Sequence, residues 1–217
     1  MTAKDEDILT NQTYIKNGVV LDKLFQSLIV TKFDYNDLLI CDKNAIMVAA
    51  RVLGYGKDYG ITVTTPSGEE QHVNVDLTQI DMKPFDWDSI DTTDNSFEFE
   101  LPVSKRKIKF KLLTQGVQKK IDAELRGLKK LKKGDSSLTT TLKHTIISVD
   151  GDENSSTIRK FVDNELFAID SRALRLHIKK VTPDLDFSME VTDEETGDPF
   201  RSQITIGLDL FWPDVQI

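Results

Sequence analysis

The chain has 217 residues, a formal net charge of −8, one cysteine, and no apolar run approaching the ~20 residues of a membrane-spanning helix. With 39% hydrophobic and 29% charged residues it reads as a globular protein rather than a disordered acidic tail, and the lone Cys41 excludes an internal disulfide framework. The start, MTAKDEDILT, is acidic and lacks the basic-then-apolar layout of a signal peptide, so a reducing, cytoplasmic setting is expected.

Residues 1–16 read as a mobile N-terminal tail. Leu21, Leu24, Phe25, Leu28 and Ile29 then recur at helical spacing, and Asp34, Asn36 and Asp37 supply start signals for a second helix. The segment DKNAIMVAARVLGYG places Ile46, Ala49, Ala50 and Leu53 on one helical stripe, closed by Gly54 and Gly56. ITVTT (61–65) and QHVNVDL (71–77) flank a Pro-Ser-Gly turn and read as a β-hairpin. From Asp76 to Glu100 eight acids stand against Lys83 alone, and the part up to Ser96 reads as a long loop.

FEFEL (97–101) alternates apolar with acidic residues and KIKFKLL (107–113) apolar with basic ones. A second hairpin is expected, with Glu98 and Glu100 facing lysines across it. Helical spacing returns at Val117, Ile121, Leu125, Leu128 and Leu131, and a further helix is expected over 136–149. STIRKFVDNELF and SRALRLHIKKV read as a helical pair, with Asp170-Ser171 capping the second helix. The chain ends with LDFSMEV (185–191), a turn, and SQITIGLDLFW (202–212), again β in character. The expected class is α+β: a central helical region flanked by small β-hairpin modules. Four stretches are expected: the tail at 1–16, a helical segment with two hairpins at 17–114, a helical region at 115–184, and a C-terminal hairpin module at 185–217.

Charge is unevenly placed. Between Lys105 and Lys133 twelve Lys and Arg oppose only Asp122 and Glu124, a surplus of ten within a remainder of −18. Part of that surplus is explained by the hairpin pairing with its own acidic strand. The rest, including Lys129, Lys130, Lys132 and Lys133, is a solvated helix end, a face for an acidic partner, or a nucleic-acid surface. Phe110 is the only aromatic residue in the segment, and the net acidity of the chain opposes a polyanion, so nucleic acid is the weaker reading.

Catalytic and metal motifs are missing from the sequence. His72, His144 and His177 are widely separated and lie in no HExxH or CxxC setting. Asp150-Gly-Asp152-Glu153-Asn154 begins like a calcium loop but places Phe161 where the twelfth-position Glu belongs. Gly54-Tyr-Gly-Lys-Asp-Tyr-Gly60 follows a helix and lacks the GK[ST] ending of a phosphate loop. No G-x-S-x-G occurs, and Cys41 sits among apolar neighbours as an inert thiol. No enzyme is expected, and no cofactor.

Three strings together carry a likeness. NGVVLDKLFQSLIVTKFDYNDLLICDKNAIMVAARVLGYGKDY (17–59), VDLTQI (75–80) and DLFWPD (209–214) resemble the baseplate protein family of T-even-like contractile-tailed phages. The likeness is dense over 17–80, sparse through the middle, and returns at 185–214. It implies a virion-assembly role: a baseplate hub subunit or assembly factor bound to other hub and tail proteins, in the tail baseplate and in the host cytoplasm during assembly. An assembly chaperone absent from the finished particle is the alternative. Some relatives carry C-x-x-C-G at both hairpin turns, in the manner of zinc ribbons. Here those turns read Thr64-Thr-Pro-Ser-Gly68 and Thr192-Asp-Glu-Glu-Thr-Gly197, so the resemblance carries over the turn and its glycine but not the metal.

A docking protein needs apolar anchors and charged rims. Tyr55, Tyr59, Phe211 and Trp212, beside glycine or proline turns, either anchor a partner or fill the cores beneath the hairpins. Asp42, Lys43 and Asn44 either start a helix or present polar contacts to a partner.

Overall fold

The computed structural model describes residues 1–85, 94–131 and 136–211. Within them the chain is α+β, with eight α-helices and seven strands in small antiparallel sheets. Trp212, Lys132, Lys133 and residues 86–93 of the expected acidic loop lie outside the described residues. Two compact units are formed. One gathers Met1–Lys32, Asp42–Lys83 and the described residues from Asp184 onward; the other gathers Phe33–Cys41 and the described residues between Pro84 and Pro183. These units draw on segments distant in sequence.

The first unit begins with α1 (Ala3–Leu9) and α2 (Gln12–Lys16), where a mobile tail was expected. Thr2 donates its N–H to Asp5 Oδ2 at 2.8 Å, and Ser27 Oγ donates to Asp5 Oδ1 at 2.8 Å from α3 (Val20–Leu28). Leu9 is fully buried, beside a core that holds Val20, Leu24 and Phe25. Helices this short are held by packing rather than propensity, and Leu9 with Asp5 supplies that packing.

Helix α4 (Asp42–Tyr55) buries Met47, Val48, Ala50 and Arg51. The expected stripe is therefore rotated: Leu53 is 82% exposed, and a cation takes an interior position. Strands β1 (Asp58–Thr64) and β2 (Glu70–Asp76) form the expected hairpin, with Asp58 opposite Asp76 and Thr64 opposite Glu70. The second hairpin of this unit pairs strands Ser188–Thr192 and Pro199–Gln203.

The other unit is built on a three-stranded sheet. Strands β3 (Phe97–Glu100) and β4 (Lys107–Phe110) pair with Glu98 opposite Lys109 and Glu100 opposite Lys107, as the alternation requires. A third strand, β5 (Ile146–Val149), joins the other side of β4. This corrects the helix expected over 136–149: α6 (Ser137–Thr145) ends where Ile146-Ile147-Ser-Val149 begins, a β-branched run that the sheet accepts. With α6, α7 (Ser155–Asn164) and α8 (Ala168–Val181) the sheet encloses a core of Ile108, Phe110, Leu142, Ile146, Phe161 and Leu174, and α5 (Gln115–Lys130) packs against α6.

Helix α8 starts three residues earlier than expected. Asp170 lies in its first turn, fully buried, and accepts the N–H groups of Val103 and Ser104 at 2.8 and 3.0 Å. It therefore caps the β3–β4 turn rather than its own helix. The remaining strands, β6 (Ser188–Thr192) and β7 (Pro199–Gln203), are those of the second hairpin above.

Candidate docking surfaces

The DKNA segment is engaged within its own unit. Asp42 opens α4, and Lys43 Nζ lies 2.6 Å from Asp22 Oδ1 and 6.0 Å from the Phe25 ring centroid. Asn44 Nδ2 donates to Asp184 Oδ1 at 3.1 Å, and Lys83 Nζ reaches the other oxygen at 2.8 Å. Burial pushes the Asp184 carboxyl up, but the hydrogen bonds from Lys83 and Asn44 outweigh it and leave the pKa below its ordinary value. Lys43 and Asn44 thus brace α4 to α3 and to the strap entering the second hairpin.

Two of the aromatic candidates, Tyr55 and Tyr59, converge on Arg51, which the sequence reading did not single out. Its guanidinium donates to the carbonyls of Gly56 at 2.7 Å and Asp58 at 3.0 Å, and sits 5.5 and 5.8 Å from the ring centroids of Tyr55 and Tyr59. A buried cation of this kind replaces water with helix-end carbonyls and ring faces, locking the end of α4 to β1. Gly56, at φ +88°, makes the reversal between them.

Tyr59 and Phe211 are buried, so both belong to the interior. Tyr55 is 37% exposed; its ring meets Phe211 edge-on at 6.4 Å and its hydroxyl donates to Glu6 at 3.2 Å. Burial and the neighbouring Glu6 carboxylate push the Tyr55 phenol above its ordinary pKa. Of the aromatic candidates described, Tyr55 is the one with a face in solvent.

The two hairpin turns of this unit are built alike. Thr65 donates its N–H to Glu69 O at 2.8 Å and receives Gly68 N–H at 2.9 Å; Asp193 donates to Asp198 O at 3.0 Å and receives Gly197 N–H at 2.9 Å. Their side chains take further backbone donors, Glu69 N–H on Thr65 Oγ1 at 3.2 Å and Glu195 N–H on Asp193 Oδ1 at 2.9 Å. Gly68 and Gly197 have φ of +92° and +76°, which explains why glycine stands at both places. Gln71 joins the turns, donating to Thr192 O at 3.0 Å and accepting Glu194 N–H at 3.2 Å. Among the described residues no group of three His, Cys, Asp or Glu side chains is placed to hold a metal ion.

Lys129 and Lys130 lie in the other unit, exposed in the last turn of α5, where the helix dipole favours cations. The charged face of the three-stranded sheet forms an open groove of about 660 Å³ lined by Glu98, Glu100, Lys107, Lys109, Ser148 and Glu153. His144 Nε2 lies 2.9 Å from Glu124 Oε2, and the His177 ring stacks on Phe99 at 4.4 Å.

A surface that the sequence reading missed lies on α8. Ile169 and Leu176 point into solvent, seven residues and two turns apart, beside the exposed Arg172 and Arg175. The i, i+7 spacing of two aliphatic residues on the basic side of the helix was the available signal. Comparison with known proteins identifies no matching family model, no similar curated protein and no similar solved structure. No helix among the described residues is long and apolar enough to cross a membrane.

Proposed function

We propose that this chain is a non-enzymatic protein of a contractile phage tail, a baseplate hub subunit or hub-assembly factor that works by docking to other hub and tail proteins. The observation that carries the reading is the string from Asp37 to Tyr59, DLLICDKNAIMVAARVLGYGKDY, which resembles the baseplate family in its most specific part. Within it, Arg51, Gly56 and Tyr59 form the joint between α4 and β1, so the likeness rests on residues with a physical task. The member whose likeness carries the reading is the hub subunit encoded by gene twenty-six of the T-even phages.

The finer architecture belongs to the same proposal. The paired hairpins β1–β2 and β6–β7 are a zinc-ribbon-like module in which hydrogen bonds do the work of a metal. Thr65 and Asp193 hold the two turns from within, and Gln71 joins them. Exposed apolar side chains, Leu53 on α4 and Ile169 and Leu176 on α8, supply the kind of anchor that docking uses.

The test is affinity purification of the tagged full-length chain during tail assembly. Recovery of hub intermediates is expected, and mass spectrometry of finished particles separates a resident subunit from a chaperone that departs. A chain that joins no tail intermediate contradicts the proposal.

A further inference from the structure

Helix α8 turns Leu174 and Asp170 inward and leaves Ile169 (66% exposed) and Leu176 (58% exposed) on its outer side. The bond from Val103 N–H to Asp170 also brings the exposed Val103 to the end of the helix where Phe167 is exposed. Large aliphatic groups left in water along one stripe of a helix whose other side is packed mark a surface that something else covers.

The charges around that stripe say what covers it. Arg172, Arg175, Lys179 and Lys180 share the outer side, and none forms a salt bridge with a described residue. Several cations of the same unit do, among them Arg106 with Glu165, Lys143 with Asp163, and Arg159 with Glu124, while others such as Lys107 and Arg126 do not. The helix dipole accounts for Lys179 and Lys180 in the last turn, but Arg172 and Arg175 lie mid-helix, beyond its reach. The acid of this helix, Asp170, is buried and committed to backbone donors.

We propose that this face binds an acidic amphipathic segment of a partner protein, its apolar side chains seated along Ile169 and Leu176 and its carboxylates paired with Arg172 and Arg175. A membrane or a nucleic acid presents an extended negative field, which the net charge of −8 opposes. A short acidic segment meets mainly the local cations, because solvent screens charges beyond ~8–10 Å. Two aliphatic anchors also suit a helix-sized ligand better than a bilayer, which rewards a wide apolar face. This inference rests on the docking reading and names the chemistry of one partner.

The experiment titrates the full-length protein against a fluorescent helical peptide of about 14 residues, with two leucines seven apart and glutamates between them. Controls are the same peptide with lysines for glutamates, vesicles of equal parts phosphatidylcholine and phosphatidylserine, and a short DNA duplex. Saturable binding of the acidic peptide is expected, weakening with salt and falling at least about tenfold in Leu176→Asp and in the double variant Arg172→Glu, Arg175→Glu. Because these side chains are exposed, the thermal unfolding of both variants should match the parent, which separates lost binding from lost folding. No binding of the acidic peptide, equal binding of the lysine peptide, or preferential binding of vesicles or DNA overturns the proposal. Each of those results leaves the recovery of hub intermediates untouched, so the two readings fail separately.

Discussion

Glu124 on α5 accepts both terminal N–H groups of Arg159 on α7, at 3.0 and 3.1 Å, while His144 on α6 closes on the same carboxylate at 2.9 Å. One carboxylate thus ties three helices, two of which, α6 and α7, are also bridged by Lys143 and Asp163 at 2.6 Å. Arg159 first and His144 second hold its pKa down at about 2, against an ordinary 4.5.

The sign of its pH dependence follows. A carboxyl with a folded pKa below its unfolded one stabilises the fold fully above the unfolded value and loses that contribution as pH falls through the folded one. Glu124→Gln should therefore lower stability by ~1 kcal/mol at neutral pH, about 2–4 °C in Tm for a chain of this size. The difference from the parent should shrink steadily from pH 4.5 towards 2. Thermal melts across that range check it; a gap that stays constant or widens in acid contradicts the assignment.

Two glycines of α5 should respond oppositely to alanine. At Gly127 an added Cβ meets nothing within 4 Å, so Gly127→Ala should stabilise the protein by ~0.5–1 kcal/mol through helix propensity alone. At Gly116 the Cβ would stand 3.0 Å from Asn36 Cβ and 3.1 Å from Asn36 O, against backbone that cannot swing away. Gly116→Ala should destabilise despite the better propensity. Urea unfolding of the two variants, compared at equal m-values, decides the matter.

Asp170 has no competing role. Burial pushes its carboxyl up, the N–H groups of Val103 and Ser104 pull it down, and the balance lies below the ordinary value. Asp170→Ala would leave two backbone donors without their partner, and a loss of ~2–3 kcal/mol is expected in chemical denaturation. Its contribution, like that of Glu124, should fade as pH drops below the ordinary carboxylate range. A variant as stable as the parent would remove the cap from the account of this turn.

The hairpin turns give a prediction about metal removal. If hydrogen bonds alone hold them, prolonged treatment with a strong chelator should leave the Tm unchanged. Asp193→Ala, which deprives Glu195 N–H and Thr196 N–H of an acceptor, should cost ~1–2 kcal/mol. A fall in Tm on chelation would contradict the metal-free reading.

Much of the fold was legible because alternation and turn chemistry are local. The β3–β4 register, with Glu98 against Lys109, follows from FEFE and KIKF, and both turn glycines, Gly68 and Gly197, stand where φ is positive. What escaped depends on tertiary partners. The helix over Ala3–Leu9 exists because Leu9 is buried and Asp5 bonds Ser27, neither visible in an acidic 16-residue stretch. The α4 stripe was misphased because Arg51 is inside, a placement made favourable by carbonyls that only the folded reversal presents. Ile146–Val149 reads as the tail of a helix until β4 supplies an edge for it.

The candidate site was legible only in part. Turn-adjacent aromatics did lead to the Arg51 cluster, but sequence could not say that Tyr59 and Phe211 face inward and Tyr55 outward. The exposed side of α8 was hidden for the opposite reason. Ile169 and Leu176 have the spacing of core residues, and only the burial of Leu174 shows which side of the helix is the core.

Electron microscopy of tails assembled without this chain tests the baseplate role most directly. The proposal predicts baseplates that lack a complete hub and are restored when the chain is supplied in trans. Complete, tube-bearing baseplates formed in its absence would contradict it.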